Sequence, residues 1–123
     1  MKPTLTVLTV DDSRTMRELL MSALTDAGFD IVQAVDGLDG LKVLETSVPD
    51  VIITDITMPR MDGIDFIKEV RADARRRSIP ILVLTTETEL SLKDRAQEAG
   101  ATGWIAKPFH PEKLSEAIRR VAA

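Results

Sequence analysis

The chain has 123 residues, of which 44% are hydrophobic and 29% charged, and its net charge is -4. This size and balance predict a single globular domain over residues 1–123, and the acidic excess argues against a general nucleic-acid binder. Because the chain has no cysteine and only one histidine, His110, thiol chemistry, disulfides and a zinc-type histidine cluster are excluded. It has no leader pattern and no apolar run of membrane-spanning length, so we expect a cytoplasmic protein without membrane contact.

Five β-rich runs alternate with five helical patterns along the chain. The predicted strands are Thr4–Val10, Asp30–Ala34, Asp50–Thr54, Ile79–Leu84 and Thr102–Ala106. A helix is predicted to follow each strand. The first begins after a cap at Asp12 or Ser13 and ends at Gly28, and the third begins at Asp62-Gly63. The second, fourth and fifth span Gly37–Glu45, Glu89–Ala99 and Pro111–Val121. Such alternation implies a parallel sheet with helices on both faces.

Apolar spacing predicts which helix positions face the core. In the first helix the stripe is Met16, Leu19, Leu20, Ala23, Leu24 and Ala27, and in the second it is Leu38, Leu41 and Leu44. The fourth helix is only weakly amphipathic, so Leu90 belongs either to a marginal helix or to a docking face. We interpret the basic run Arg71–Arg77 as a solvated helix end whose arginines favour the helix dipole.

Polar side chains follow four of the five predicted strands. Asp11 and Asp12 follow the first, Asp55 ends the third, Thr85 the fourth and Lys107 the fifth. The carboxyl ends of parallel strands share one edge of the sheet, where ligands bind. Strand ends are often polar for structural reasons alone, but five such residues from four strands favour a functional site.

The residue types at this edge point to phosphoryl chemistry. Crowded carboxylates repel one another unless a cation lies between them, and Mg²⁺ prefers such oxygen ligands. Lys107 adds a second positive charge and Thr85 a hydroxyl donor. An aspartate beside a metal and an ammonium group is poised to attack phosphorus, which would give an aspartyl phosphate at Asp55. We also expect Mg²⁺ to stabilise the fold by relieving the carboxylate repulsion.

The chain closely resembles the receiver domains of two-component response regulators, and most of all the single-domain chemotaxis regulators of the CheY type. The resemblance covers nearly the whole chain. It rests on Asp11-Asp12, Asp55 before Ile-Thr-Met-Pro, Met61-Asp62-Gly63, Thr85, Lys107-Pro108-Phe109, VDDSRTMR (Val10–Arg17) and GATGWIAKPF (Gly100–Phe109). It implies a doubly wound, flavodoxin-like (βα)5 fold with strand order 2-1-3-4-5.

The resemblance also implies roles for the residues at the sheet edge. Asp55 would be the phosphoacceptor, and Thr85 and Lys107 would contact the phosphoryl oxygens. The metal would be Mg²⁺, held by Asp12, Asp55 and the backbone carbonyl of Thr57, with Asp11 acting mainly through a bound water.

Three further features follow from the resemblance. Trp104 lies at the position of the family's switch aromatic, usually Tyr or Phe, which rotates inward as Thr85 moves. The alternative is that Trp104 is an ordinary core tryptophan. The family also has a cis peptide before Pro108. The residues that tune hydrolysis of the aspartyl phosphate in the family correspond here to Thr57, Thr86 and Glu87.

The partners implied are a CheA-type histidine kinase, a flagellar motor switch protein or other protein target, and a phosphatase. The binding face would be formed by Glu89–Ala99, Thr102–Ala106 and Pro111–Val121. We expect a monomeric signalling protein that catalyses only its own phosphorylation and dephosphorylation, with no attached output domain. A phosphate sink or a phosphorelay intermediate is the alternative role.

Two other protein classes fit less well. Phosphatases of the haloacid dehalogenase type have a second aspartate two residues after the nucleophile, where this chain has Thr57. A flavodoxin-like nucleotide or flavin binder would have a Gly- or Ser/Thr-rich phosphate loop after the first strand. Here that loop is Asp-Asp-Ser-Arg, which would repel phosphate unless a metal were bound.

Overall fold

In the computed structural model, which describes residues 4–86 and 91–123, five strands alternate with five helices. The strands are β1 (Thr6–Val10), β2 (Asp30–Ala34), β3 (Val51–Asp55), β4 (Ile81–Thr85) and β5 (Gly103–Ala106). The helices are α1 (Arg14–Asp26), α2 (Gly37–Leu44), α3 (Gly63–Ala72), α4 (Lys93–Ala99) and α5 (Pro111–Ala122). All strand pairs are parallel, in the order 2-1-3-4-5. The predicted fold class is confirmed.

Helices cover both faces of the sheet, because successive strand side chains point to opposite sides. In β1, Leu8 packs into a cluster with side chains of α2, α3 and α4, including Phe66. The neighbouring Val7 packs into a second cluster with α1 and α5, including Leu20 and Ile118. The inner strands β1, β3 and β4 are therefore buried on both faces, the edge strands β2 and β5 are partly exposed, and the carboxyl ends of the strands are left as the open edge.

The element ends follow local chemistry. Ser13, not Asp12, caps α1, and its hydroxyl accepts a hydrogen bond from the Met16 N–H at 3.2 Å. β4 begins two residues later than expected because Pro80 has no N–H to donate to the sheet. Gly100, with a φ of 119°, ends α4 as predicted. The expected helix start at Glu89 lies outside the described residues, as do Glu87 and Leu90, and the described part of α4 begins at Lys93.

Two of the leucines predicted to face the core are exposed. Leu38 in α2 is 44% exposed and Leu19 in α1 is 52% exposed. In α2 the buried face is formed by Gly37 and Gly40 together with Leu44, because Met61 and Phe66 approach the two glycines too closely for larger side chains. A Cβ at Gly40 would lie 2.8 Å from the Phe66 ring.

The arginine run is only partly solvated, so its interpretation as a free helix end was wrong for two of its members. Arg71 donates hydrogen bonds to the carbonyls of Gly100 and Ile79, at 2.9 and 2.6 Å, and burial lowers its pKa. Arg76 donates to the Leu44 carbonyl at 2.6 Å. These two guanidinium groups join the C-terminal ends of α2, α3 and α4 at the edge opposite the strand ends.

Within the described residues, no helix is both long and apolar enough to cross a membrane.

Candidate functional site

Three carboxylates meet at the carboxyl ends of β1 and β3. Val10 pairs with Thr54 in the sheet, so that the residues that follow them, Asp11 and Asp55, lie side by side. Together with Asp12, each offers a carboxylate oxygen that lies within 4.8 Å of the other two. The strand-end pattern thus predicted a real cluster.

Lys107 brings a positive charge into the same cluster. Its Nζ lies 3.1 Å from Asp55 Oδ1 and 3.9 Å from Asp11 Oδ2. Asp55 is buried, and its Oδ1 also accepts a hydrogen bond from the Ile56 N–H at 2.9 Å. Since solvent screens buried charges weakly, the ammonium group orients the Asp55 carboxylate more strongly than a surface lysine would.

Asp11 is the most constrained carboxylate of the three. Burial raises its pKa, and the nearby Asp12 adds to this, although the Ser13 N–H and the Lys107 charge act in the opposite direction. Its Oδ1 accepts from the Ser13 N–H at 2.8 Å, whereas its buried Oδ2 accepts no hydrogen bond from any described residue. A buried oxygen without a donor, beside two further carboxylates, fits a hard divalent cation.

The loop after β3 is shaped by Gly63, the glycine of the Met61-Asp62-Gly63 motif. A Cβ at this position would lie 2.1 Å from the Asp55 carbonyl oxygen, so only glycine fits. The Gly63 N–H donates to the Ile56 carbonyl at 2.6 Å and closes the loop. Thr57 lies exposed within it, and the metal-binding role of its carbonyl stays a prediction.

Thr85 and Trp104 border one small cavity on the α4 side of the sheet. Thr85 is buried at the end of β4, and Ala96 and Gly103 line the same cavity. Trp104 is 44% exposed and is therefore not an ordinary core tryptophan. The Lys93 Nζ lies 3.4 Å from the centroid of its ring, a cation–π contact that favours the outward orientation.

Two residues near the site were not predicted from the sequence: Lys93, which lies over Trp104, and Arg60, which pairs with the buried Asp36. Both contacts join residues that are distant in sequence and have no motif spacing. By contrast, the Lys107–Pro108 peptide is cis, as the resemblance implied.

Comparisons with known proteins identify the family of this chain. Residues 7–119 match the response regulator receiver domain family. The chain is 38% identical over 116 residues to the chemotaxis protein CheY of Pseudomonas aeruginosa, and the match covers 94% of each chain.

Two solved structures are also similar. The chemotaxis response regulator CheY4 of Vibrio cholerae superposes with a TM-score of 0.89 at 42% identity, over 96% of this chain and 98% of that one. The receiver domain of a Pseudomonas aeruginosa sensor histidine kinase, described with a magnesium ion coordinated in its active-site cleft, gives a TM-score of 0.90 at 25% identity, over 97% and 98%. By sequence and by structure, this chain belongs to the response regulator receiver domain family.

Proposed function

We propose that Asp55 accepts a phosphoryl group from a phosphohistidine of a CheA-type histidine kinase. The observation that carries this proposal is the buried Asp55 carboxylate, held 3.1 Å from the Lys107 ammonium beside two further carboxylates. A carboxylate oxygen of Asp55 attacks phosphorus, a P–O bond forms and the P–N bond of the donor breaks. The released electron pair stays on the imidazole nitrogen, which then takes up a proton.

Mg²⁺ would be held by Asp12, Asp55 and the Thr57 carbonyl, with Asp11 placed to bind one of its waters. When bound, the ion neutralises negative charge on the phosphoryl oxygens and on the carboxylates. Lys107, which directly follows β5, supplies the matching positive charge. The magnesium described in the similar Pseudomonas aeruginosa receiver domain supports this assignment.

The phosphoryl group would act as a switch through Thr85 and Trp104. Thr85 moves toward the phosphoryl oxygens, and the space it leaves on the α4 side admits the Trp104 ring, which borders the same cavity. The surface of α4, β5 and α5 changes with it and binds protein partners. Phosphorylation needs only to bias two conformations that already exist.

The biological role we propose is chemotaxis control, with a flagellar motor switch protein as target. The support is the similarity to proteins named for chemotaxis, which favours this role over a phosphate sink or a phosphorelay intermediate. In this role the protein is a signalling switch whose only catalysis is its own phosphorylation and dephosphorylation.

Intact mass after incubation with acetyl phosphate tests the proposal directly. We expect one phosphoryl adduct with Mg²⁺, little or none with a chelator, and none in Asp55→Asn, which lacks the nucleophilic oxygen. If acetyl phosphate gives no adduct, transfer from a phosphorylated CheA-type kinase is the second donor. An adduct that persists in Asp55→Asn, or no adduct from either donor, would refute the assignment.

A second prediction concerns Lys93. Lys93→Ala removes the cation–π contact, typically about 0.5–1 kcal/mol at exposed sites, so the share of inward Trp104 should rise about two- to fivefold. Trp104 is the only tryptophan, so fluorescence quenching by acrylamide reports on it alone. Lys93→Arg, which keeps a cation, is the control and should quench like wild type. Equal quenching of all three proteins would show that Lys93 does not restrain the ring.

A further inference from the structure

The loop between β3 and α3, residues 56–62, contains Thr57 and is anchored to α2 as well as to its own ends. Beside the closure at Gly63, the Met61 carbonyl accepts a hydrogen bond from the Gly37 N–H at 3.2 Å. A Cβ at Gly37 would lie 2.7 Å from Met61 Cγ, so the loop rests directly on the first turn of α2.

A further anchor is an ion pair between Arg60, whose side chain is 59% exposed, and the buried Asp36. Arg60 Nε and Nη2 lie 2.6 and 2.5 Å from the same oxygen, Asp36 Oδ2. The Asp36 side chain is only 4% exposed, and its other oxygen caps α2 by accepting from the Asp39 N–H at 2.9 Å. Burial would raise the Asp36 pKa, but the hydrogen bonds from Asp39 and Arg60 outweigh it and the pKa is lowered. The carboxylate is therefore charged, and Arg60 compensates it.

The backbone of Arg60 indicates that the loop does not take this shape by local preference. Its φ is 66°, and it is the one non-glycine residue with positive φ among the described residues. This left-handed region is unfavourable for a side chain with a Cβ. Within the loop, the Met61 N–H donates a hydrogen bond to the Pro59 carbonyl at 2.7 Å and closes a three-residue turn around Arg60, a type of turn that is itself strained. Contacts outside the loop therefore add to what holds this conformation, and the guanidinium–carboxylate pair is the contact made by the side chain of Arg60.

We propose that Arg60 is a positioning residue for the metal site: its ion pair with Asp36 holds the loop so that the Thr57 carbonyl is presented beside Asp55. This inference rests on the proposed function, in which that carbonyl is a ligand of Mg²⁺. Arg60 itself touches neither the metal nor the phosphoryl group. Its effect reaches the Thr57 carbonyl through the backbone of the two residues between them, Met58 and Pro59.

The sign of the effect separates positioning from simple electrostatics. Removing a positive charge near a cation site should tighten cation binding if charge alone matters. Loss of positioning should weaken it instead. Mutation of residues that orient metal ligands typically costs about 10–100-fold in metal affinity, so we expect the Mg²⁺ Kd of Arg60→Gly to rise about tenfold.

Arg60→Gly is the sharpest variant because glycine adopts a φ of 66° without strain while lacking the guanidinium. The Mg²⁺ Kd would be measured by titration calorimetry on the wild type, Arg60→Gly and Arg60→Lys. Lysine keeps the charge but not the forked donor, so its Kd should fall between the other two. Arg75→Ala is the matched control, since it also removes one arginine paired with an aspartate, at 3.4 Å from Asp73, but at the opposite edge of the sheet.

The rate of acetyl phosphate reaction adds a second readout. At saturating Mg²⁺ the Arg60→Gly rate should approach that of wild type, because only metal binding is impaired. An unchanged or tighter Kd in Arg60→Gly, with normal Mg²⁺ binding by wild type, overturns this inference alone, even if the variant is less stable. If wild type binds no Mg²⁺, the proposed metal site fails and this inference falls with it.

Discussion

Lys107→Ala is expected to yield a protein whose Asp55 still accepts a phosphoryl group but whose Trp104 no longer responds. The carboxylate cluster and the acidic metal site stay in place, so the adduct forms, although more slowly. What is lost is the Lys107 ammonium group, which joins the phosphoryl site to the end of β5, three residues from Trp104. Couplings of this kind are about 1–3 kcal/mol, so the fluorescence response to acetyl phosphate should fall about fivefold or more.

The experiment follows adduct formation and Trp104 fluorescence in one sample. Lys42→Ala, an exposed lysine of α2, is the matched control and should respond like wild type. Lys107 also offsets the repulsion between Asp11 and Asp55, so the variant should unfold more easily without Mg²⁺. For this reason all proteins are compared at saturating Mg²⁺. A full fluorescence response in phosphorylated Lys107→Ala would contradict the role of Lys107 in coupling.

The residues of the cluster could be predicted because their position depends on topology alone. Once five strands alternate with five helices, the carboxyl ends of the strands must share one edge, whatever the details of packing. Asp11, Asp55 and Lys107 each follow a β-rich run directly, so an error of one or two residues in a strand boundary does not separate them. Gly63 belongs to a sequence motif as well, and a Cβ there would lie 2.1 Å from the Asp55 carbonyl oxygen, which explains why that motif needs glycine.

The contacts that were missed depend on loop conformation and on side-chain reach. The Arg60–Asp36 pair spans 24 positions and requires a positive φ, which nothing in the sequence of this loop demands. Arg71 belongs to a run whose composition is typical of solvated helix ends, and its hydrogen bonds to the carbonyls of Gly100 and Ile79 depend on tertiary packing that the sequence does not show. The prediction that Leu38 faces the core was wrong for a related reason, since apolar periodicity does not indicate that glycines form part of the buried face of a helix.

Asp11→Asn is expected to act in opposite directions on the metal-free fold and on Mg²⁺ binding. The pKa of Asp11 is raised, mainly by burial, so folding favours its protonated form. Its contribution to stability is therefore complete below the ordinary aspartate pKa and is lost as the pH rises toward the folded-state value. Asparagine stays neutral, so the metal-free variant should be more stable than wild type at neutral pH and should lack this decline.

With Mg²⁺ the order should reverse, because the cation compensates the carboxylate that asparagine lacks. At a Mg²⁺ concentration of about 100 times the wild-type Kd, binding should raise the free energy of unfolding of wild type by about 2.7 kcal/mol. For a variant with a tenfold weaker Kd the increase should be about 1.4 kcal/mol. Urea unfolding with Mg²⁺ and with chelator, across pH 4–8, measures both effects. The charge-matched control is Asp26→Asn, since Asp26 is an exposed residue at the end of α1. Equal Mg²⁺ stabilisation of the two proteins would place the cation away from Asp11. If wild type and Asp11→Asn showed the same pH dependence of stability without metal, the unfavourable buried charge would belong to another carboxylate of the cluster.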